Sequence, residues 1–285
     1  MTSGAPSGPR WLALDIGGTK ADVAVVSAGG VIERRGRVPV SGNAEVAAEL
    51  VERAREISRG LSVEGVGVAC AGPVFDRGRV SPLNIPQWRD FPLRDVLEEA
   101  LQMPVRVEGD VRALALAEQH FGGAREINNF ASLVVSTGIG GAVVMDGRLL
   151  DGRTGNAGHL GHVIVVPGGH LCSCGARGCL EAEASGWAIE RDTGDSPVHA
   201  DLDVRERVAA LVGLGVGQML AVLDIPTCFV SGSVALGFGE DFFRAANLAA
   251  AEVARLSYCG RVELVPSALG ADGPILGAAC VGGAS

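Results

Sequence analysis

One sequence pattern occurs twice in this chain, first near the N-terminus and again near the middle. The first copy reads WLALDIGGTKADVAVV and the second reads FASLVVSTGIGGAVVM; in both, a glycine-rich turn separates two apolar runs. Apolar runs bounded by glycine turns predict β-strands. Because alternating helix-type and strand-type segments follow each copy, we predict two related α/β halves. This duplication constrains the fold more than any other feature of the sequence.

Helical periodicity and buried-type strands alternate in both halves. Apolar residues recur at helical spacing in five segments, at 43–59, 92–102, 204–223 and 239–255 and from Val111 through Ala117. Buried-type strands separate them, with the sequences EGVGVACAG, VRVEGD, TCFVSGS and VELVP, and a final helix is predicted from about Pro274. We expect an N-terminal lobe of residues 1–113 with 272–285 and a C-terminal lobe of residues 114–271. Ligands of such sheets bind at the carboxyl ends of the strands.

Composition limits the kinds of partner that the chain can have. Its 33 acidic and 24 basic residues give a net charge of -9, and no Lys/Arg run could follow a phosphate backbone, so nucleic acid is not an expected partner. The opening residues MTSGAPSGPR lack the charged head and apolar stretch of a secretory signal, and no apolar run approaches membrane-spanning length. We therefore expect a cytoplasmic protein that does not bind a membrane.

Both copies of the pattern carry a glycine-rich turn with a hydroxyl side chain. The first turn reads DIGGTK over residues 15–20 and the second reads STGIGG over residues 136–141. Either turn alone is also an ordinary hairpin turn. Two copies favour loops that bind the phosphates of ATP from both sides, because their backbone N–H groups can approach anions. The candidate ATP ligands in these loops are Gly17, Gly18, Thr19, Lys20, Thr137, Gly138 and Gly140.

Two aspartates follow strands at positions suited to catalysis. Asp15 ends the first strand beside the glycine turn, where it could hold Mg²⁺ directly or through water. Its alternative role is to cap the turn. Asp110 lies between a strand and a helix N-terminus, where it could accept a hydroxyl proton during phosphoryl transfer. The alternative is an ordinary helix cap, because aspartate is one of the commonest residues at that position.

Three of the seven cysteines lie in one short segment, which in a reducing compartment indicates metal binding rather than disulfide bonds. With a preceding histidine they form a set of four ligands, namely His162, Cys172, Cys174 and Cys179. This closed set predicts a structural zinc ion, with unliganded cysteines as the alternative interpretation and His170 as a rival ligand. His159 and Glu181 flank the segment and are candidates for contact with substrate hydroxyls, although either could be a solvated surface residue.

Taken together, the motifs resemble the ROK family of sugar kinases and sugar-responsive repressors over nearly the whole chain. The matching segments are LDIGGTK, VEGD, VSTGIGG, GHLGHV, LCSCGARGCLEAEASG and VSGSV. The resemblance implies a duplicated, two-lobe actin-like (ribonuclease H-like) fold. It implies ATP–Mg²⁺ bound by Asp15 and both glycine loops, Asp110 as the catalytic base, adenosine beside Gly232, and the zinc ligands given above. The sugar contacts that it implies are Gly72, Asn84, Gly109, Asp110, His159, His162 and Glu181.

Two positions depart from the family pattern. The usual Asn before the catalytic Asp is Gly109, and the usual Glu three residues before the zinc-binding His is His159. Both positions touch the sugar in the family, so either the site holds its sugar differently, with Arg112 as a substitute, or activity is weakened. The segments AGHLGH and SGSVALGFGEDFF resemble bacterial N-acetylmannosamine kinases more than glucokinases.

We therefore expect a homodimeric kinase that transfers phosphate from ATP to the 6-hydroxyl of a hexose or N-acyl hexosamine. N-acetylmannosamine is the first candidate sugar and glucose is the second. A non-catalytic sugar sensor is an alternative that would explain Gly109. An actin-like ATPase is another alternative, but it leaves the predicted zinc segment without a role. The family's repressors carry a DNA-binding domain ahead of the first glycine turn, and only about ten polar residues precede the first strand here.

Overall fold

The computed structural model describes residues 8–40, 45–82 and 85–283. The chain forms two compact units. The first unit contains the chain up to Phe121, the segment Asp151–Asn156 and the chain from Ala271 onward. The second unit contains Gly122–Leu150 and Ala157–Gly270. Each unit has its own five-stranded sheet and its own apolar core.

A three-stranded antiparallel meander and two parallel strands form the sheet of the first unit. Its strands are β1 (Arg10–Ile16), β2 (Lys20–Ser27), β3 (Ile32–Pro39), β4 (Gly65–Cys70) and β7 (Val105–Gly109), and a small separate hairpin consists of β5 (Val74–Phe75) and β6 (Arg79–Val80). The order across the sheet is β3-β2-β1-β4-β7. Every residue of β4 is buried, as expected for a central parallel strand that is covered on both faces.

Among the described residues, the helices that cover this sheet are α1 (Val46–Ser58), α2 (Leu93–Leu101), α3 (Asp110–His120) and α9 (Gly273–Gly283). Helix α1 packs on β2 and β3, whereas α9 packs on β1, β4 and α3. A Cβ atom on Gly277 of α9 would lie 2.6 Å from the backbone of Ala113 in α3, so the two helix backbones touch. Because α3 packs as a whole on α9, we propose a lobe boundary after Phe121 in place of the expected residue 113.

The second unit repeats the arrangement of the first. Its strands are β8 (Phe130–Val135), β9 (Ile139–Met145), β10 (Arg148–Leu149), β11 (Thr227–Ser231) and β12 (Glu263–Pro266). Their order is β10-β9-β8-β11-β12, with an antiparallel meander followed by two parallel strands. The same strand order and directions in both units confirm the duplication that the sequence predicts. The helices of this unit are α4 (Leu180–Ala184), α5 (Gly186–Thr193), α6 (Leu202–Leu223), α7 (Ser233–Phe238) and α8 (Glu240–Val253).

Helix α6 corrects one expectation from the sequence. By length and composition it could cross a membrane, although we expected no such run. More than half of its most apolar window is buried within the second unit, as in the core helix of a globular protein. Gly213 and Gly217 let its backbone approach Ala246 and Ala250 of α8. The apolar composition of α6 is therefore explained by packing on its neighbours.

The close contact between α3 and α9 leads to a stability prediction. We expect Gly277→Ala to lower the free energy of unfolding by about 1–3 kcal/mol, because the added methyl group would overlap the backbone of α3. Urea denaturation measures this change. Gly237→Ala is the matched control, because a Cβ atom on that helical glycine would meet nothing within 4 Å. Equal stability of the two variants would contradict the proposed packing.

Candidate active site and metal centre

Three neighbouring parallel strands end at the same edge of the first sheet. Ile16 of β1 lies opposite Cys70 of β4, and Cys70 lies opposite Gly109 of β7. Asp15 is therefore at the end of β1, and Asp110 directly follows β7. The structure thus brings two of the predicted site residues to one edge of one sheet, with the buried Cys70 on the strand between them.

The surroundings of Asp15 favour a bound cation. Burial raises the pKa of the Asp15 carboxyl to about 7, and the charges of Asp110 and Asp22 act in the same direction. Asp22 is the cross-strand partner of Asp15 on β2. Lys20 and Arg35 act in the opposite direction. A divalent cation would offset the repulsion among these carboxylates, and oxygen ligands of this kind suit Mg²⁺.

Asp110 is the first residue of α3, and its carboxylate both contacts the helix start and has a shifted pKa. Its Oδ1 atom accepts the N–H of Val111 at 2.8 Å, so it does interact with the helix start. Burial raises the pKa of the Asp110 carboxyl, although backbone N–H groups oppose this shift. Asp110 keeps some solvent access, but the surrounding protein desolvates its carboxylate. A carboxylate with a raised pKa is a better proton acceptor than an ordinary aspartate.

The first glycine loop is a tight turn with exposed polar side chains. The N–H of Gly17 donates to the carbonyl of Lys20 at 3.0 Å, and the carbonyl of Thr19 accepts the N–H of Val40 at 2.9 Å. The side chains of Thr19 and Lys20 are exposed. The loop that carries Gly18 is therefore held by its own backbone, and its hydroxyl and ammonium groups are accessible to a ligand.

The candidate sugar-contact glycines of the first unit differ in how much space surrounds them. Gly72 has a φ of 95°, and a Cβ atom there would lie 3.0 Å from the Cα of Pro82, so the position requires glycine. At Gly109 a Cβ atom would approach only Arg112 Cδ, at 3.8 Å. The absence of a side chain at Gly109 therefore leaves space beside Asp110. The candidate Asn84 lies outside the described residues.

The second glycine loop is fastened to the start of α5. The carbonyls of Ser136 and Thr137 accept the N–H groups of Gly186 and Trp187 at 2.7 and 3.0 Å. Gly140 lies in β9, opposite Val134. These hydrogen bonds fix the backbone of the loop, and the side chain of Thr137 remains exposed.

Glu181, a candidate sugar ligand, contacts this second loop. Its Oε2 atom accepts the N–H of Ile139 at 3.0 Å. A Cβ atom on Gly138 would lie 2.8 Å from the same oxygen, so a side chain there would displace the Glu181 carboxylate. Glu181, two residues after Cys179, thus supports the second glycine loop. The sequence patterns alone did not indicate this contact.

A cavity of about 290 Å³ opens beside the second loop. It is lined by residues that include Thr137, Glu190, Pro197, Val198, Ser233 and Phe238. Gly232 immediately precedes α7 with a φ of 100°, and a Cβ atom there would overlap the backbone of Val135. Only glycine fits this turn beside the cavity. Sequence reasoning pointed to Gly232 but missed the wall formed by Pro197 and Val198, which comes from a short 3-10 turn.

The predicted metal ligands come together in the second unit. One atom from each of four side chains lies within 4.8 Å of the others, and these residues are His162, Cys172, Cys174 and Cys179. Cys172 Sγ is 3.6 Å from His162 Nδ1, and Cys174 Sγ is 3.6 Å from Cys179 Sγ. A tetrahedral zinc ion with ordinary bond lengths places its ligand atoms about 3.6–3.8 Å apart. The donor set and its spacing therefore fit zinc.

The neighbouring histidines occupy distinct positions. The exposed ring of His159 stacks on the ring of His162, with centroids 6.1 Å apart. His170 Nδ1 lies 3.0 Å from Oε2 of Glu183, whose Oε1 accepts the backbone N–H of His170 at 2.6 Å. Glu183 thus holds His170, and the ligand cluster contains His162 instead.

The sequence matches the family model described as ROK family over residues 11–282. The glucokinase of Thermotoga maritima is 33% identical to it, covering 95% of this chain and 96% of that protein. The N-acetylmannosamine kinase of Yersinia pestis is 36% identical, covering 81% of this chain and 85% of that protein.

The structure resembles that of a ROK family glucokinase from Streptomyces griseus, which was solved in complex with glucose and AMPPNP. The TM-score is 0.84 at 28% identity, and the match covers 97% of this chain and 100% of the glucokinase. The actin-like two-unit fold expected from the sequence is thereby confirmed.

Proposed function

The chain belongs to the ROK family and is an ATP-dependent sugar kinase, and we propose that it phosphorylates the 6-hydroxyl of a hexose or N-acyl hexosamine, with N-acetylmannosamine as the preferred acceptor. The observation that carries this proposal is the pair Asp15 and Asp110 at one sheet edge. The Asp15 carboxylate is suited to bind a divalent cation, and the Asp110 carboxylate is suited to accept a proton.

In the proposed reaction Asp110 accepts the proton of the acceptor hydroxyl. The hydroxyl oxygen forms a bond to the γ-phosphorus while the bond from that phosphorus to the bridging oxygen breaks, and ADP leaves. Asp15 would hold Mg²⁺, which neutralises phosphate charge when it is bound. The loop residues Gly17, Gly18, Thr19, Lys20, Thr137, Gly138 and Gly140 would orient the phosphates through N–H, hydroxyl and ammonium groups.

We propose that the cavity beside Gly232 receives the adenosine. Pro197, Val198 and Phe238 give it apolar walls for a base, and Glu190 and Ser233 offer polar atoms for a ribose. The cavity adjoins Thr137 of the second glycine loop. A nucleoside held there would therefore have its phosphates near that loop.

The four-ligand cluster is proposed to hold a structural zinc ion. Four protein ligands leave no open position for water, so the metal would order the segment instead of activating a nucleophile. Glu181 lies two residues after Cys179 and accepts a hydrogen bond from the second glycine loop. An ordered metal segment would thus fix Glu181, and through it the loop.

The preference for N-acetylmannosamine rests on two side-chain differences. An imidazole at His159 can donate a hydrogen bond to an acetamido carbonyl, whereas an ionised carboxylate there could only accept one. The space at Gly109 leaves room for a larger substituent than a hydroxyl group. Gly72, His162 and Glu181 are proposed as further sugar contacts. Glucose is the second candidate, because the Thermotoga glucokinase aligns over 95% of this chain. The cytoplasmic homodimer stays a prediction.

A sugar panel tests this proposal. We expect ADP release by the wild-type protein to depend on added sugar, with kcat/KM for N-acetylmannosamine exceeding that for glucose by about tenfold or more, the selectivity that one mismatched substituent gives. A coupled ADP-release assay with N-acetylmannosamine, N-acetylglucosamine, glucose, fructose and allose measures it. Higher kcat/KM for glucose would favour the glucokinase alternative. ADP release that is independent of every sugar would contradict the kinase proposal.

A further inference from the structure

Arg112 is a buried arginine two residues after Asp110, and it lies between two carboxylates. It is only 5% exposed. Its Nε donates to Oε1 of Glu108 at 2.8 Å, and its Nη2 donates to Oδ1 of Asp151 at 2.6 Å. Buried guanidinium groups of this kind hold their partners in a fixed geometry, because their planar donors fit carboxylates in few orientations.

The pair of Glu108 and Arg112 spans the turn that carries Asp110. Oε1 of Glu108 also accepts the N–H of Gly109 at 2.9 Å. Glu108 thus bonds the backbone just before Asp110 and the side chain of Arg112 just after it. The backbone on both sides of Asp110 is therefore tied to one ion pair.

Asp151 begins a short segment that belongs to the first unit although the chain on both sides of it belongs to the second. At the far end of this segment, the side chain of Asn156 bonds the backbone N–H and carbonyl of Val74 at 3.3 and 2.9 Å. Arg77 reaches Asp151 as well, at 3.3 Å, but its side chain is 87% exposed. The contact with Arg112, whose side chain is buried, fastens the start of the segment.

We propose that Arg112 is a positioning residue for phosphoryl transfer, which holds the Asp110 turn through Glu108 and fastens the Asp151–Asn156 segment to that turn. This inference rests on the proposed function, because it requires Asp110 to accept the proton. Burial acts to lower the pKa of Arg112, but its two carboxylate partners outweigh this and raise it, so the guanidinium keeps its charge. A displacement of a catalytic group by about 1 Å costs about a hundredfold in rate.

The test compares arginines that share a carboxylate. We expect Arg112→Gln to lower kcat by about tenfold to a hundredfold, with the KM for ATP changed by less than about threefold. Arg77→Gln is the matched control, because Arg77 meets the same Asp151 from the exposed side, and it should keep kcat within about twofold. Kinetics are normalised to folded protein by circular dichroism and thermal melting, because a merely structural role would lower the melting temperature without a selective loss of kcat.

A double-mutant cycle adds an independent measurement. We expect Asp151→Asn to lower kcat and the double variant to be no slower than Arg112→Gln, since both changes break one contact. Should Arg112→Gln fail to fold, Asp151→Asn tests the segment contact alone, because the Asp151 carboxylate is half exposed. Unchanged kcat in Arg112→Gln, or multiplicative losses in the double variant, would overturn the inference. A wild-type protein that phosphorylates no sugar would instead overturn the proposed function on which it rests.

Discussion

Replacement of Asp110 by Asn is expected to lower kcat by about 10³-fold, within the usual range for loss of a general base. The amide has nearly the shape of the carboxylate and its oxygen can still accept the N–H of Val111, so the start of α3 should be preserved. What the variant loses is the ability to take the hydroxyl proton. Steady-state ADP release at saturating ATP and sugar measures the effect.

The control for this variant is another helix-starting aspartate. Asp201 caps α6 by accepting the N–H of Val204 at 2.9 Å. Asp201→Asn changes the same chemical group at a helix start outside the proposed site, and we expect wild-type kcat. If Asp110→Asn retained wild-type turnover, the capping interpretation of Asp110 would be sufficient.

Loss of one metal ligand is expected to have the second large effect. Cys179→Ser should abolish stoichiometric zinc binding and lower the melting temperature by about 10 °C, which corresponds to roughly 3 kcal/mol in a chain of this size. Activity should fall at least about tenfold, because Glu181 follows Cys179 closely and supports the second glycine loop. Metal analysis, thermal melting and ADP release together measure these changes.

Cys259→Ser is the matched control for the metal variant. Cys259 is also buried, but it lies outside the four-ligand cluster. We expect this variant to keep one zinc ion per chain. Equal metal content in the two variants, or a purified wild-type protein that contains no zinc, would rule out the proposed centre.

Features that depend on local sequence could be predicted well. The two meanders follow from apolar runs around glycine turns, and α1 follows from the helical spacing of its buried residues from Val46 to Ile57. The cluster of His162 with three cysteines was found because metal ligands need particular residue types in a short span. His170 has a suitable residue type in the same span, so the sequence leaves it as an alternative ligand. In the structure Glu183 holds His170 away from the cluster.

Features that depend on distant contacts could not be predicted. Nothing in the sequence around Asp151 indicates that this segment packs with the first unit, because its partner Arg112 is far away along the chain. The helix expected at 239–255 is α8, but the short helix α7 that precedes it was not expected; Gly239, with a φ of 71°, separates the two helices. The contact between Glu181 and Ile139 likewise requires the folded metal segment.

The central claim is that Asp110 acts on the proton of the acceptor and not on the binding of either substrate. Isothermal titration calorimetry of Asp110→Asn with N-acetylmannosamine and with Mg²⁺–AMPPNP tests it most directly. We predict that both dissociation constants stay within about threefold of the wild-type values while turnover is lost. Loss of sugar and nucleotide binding together with turnover would contradict the account, because Asp110 would then support the structure of the site instead of its chemistry.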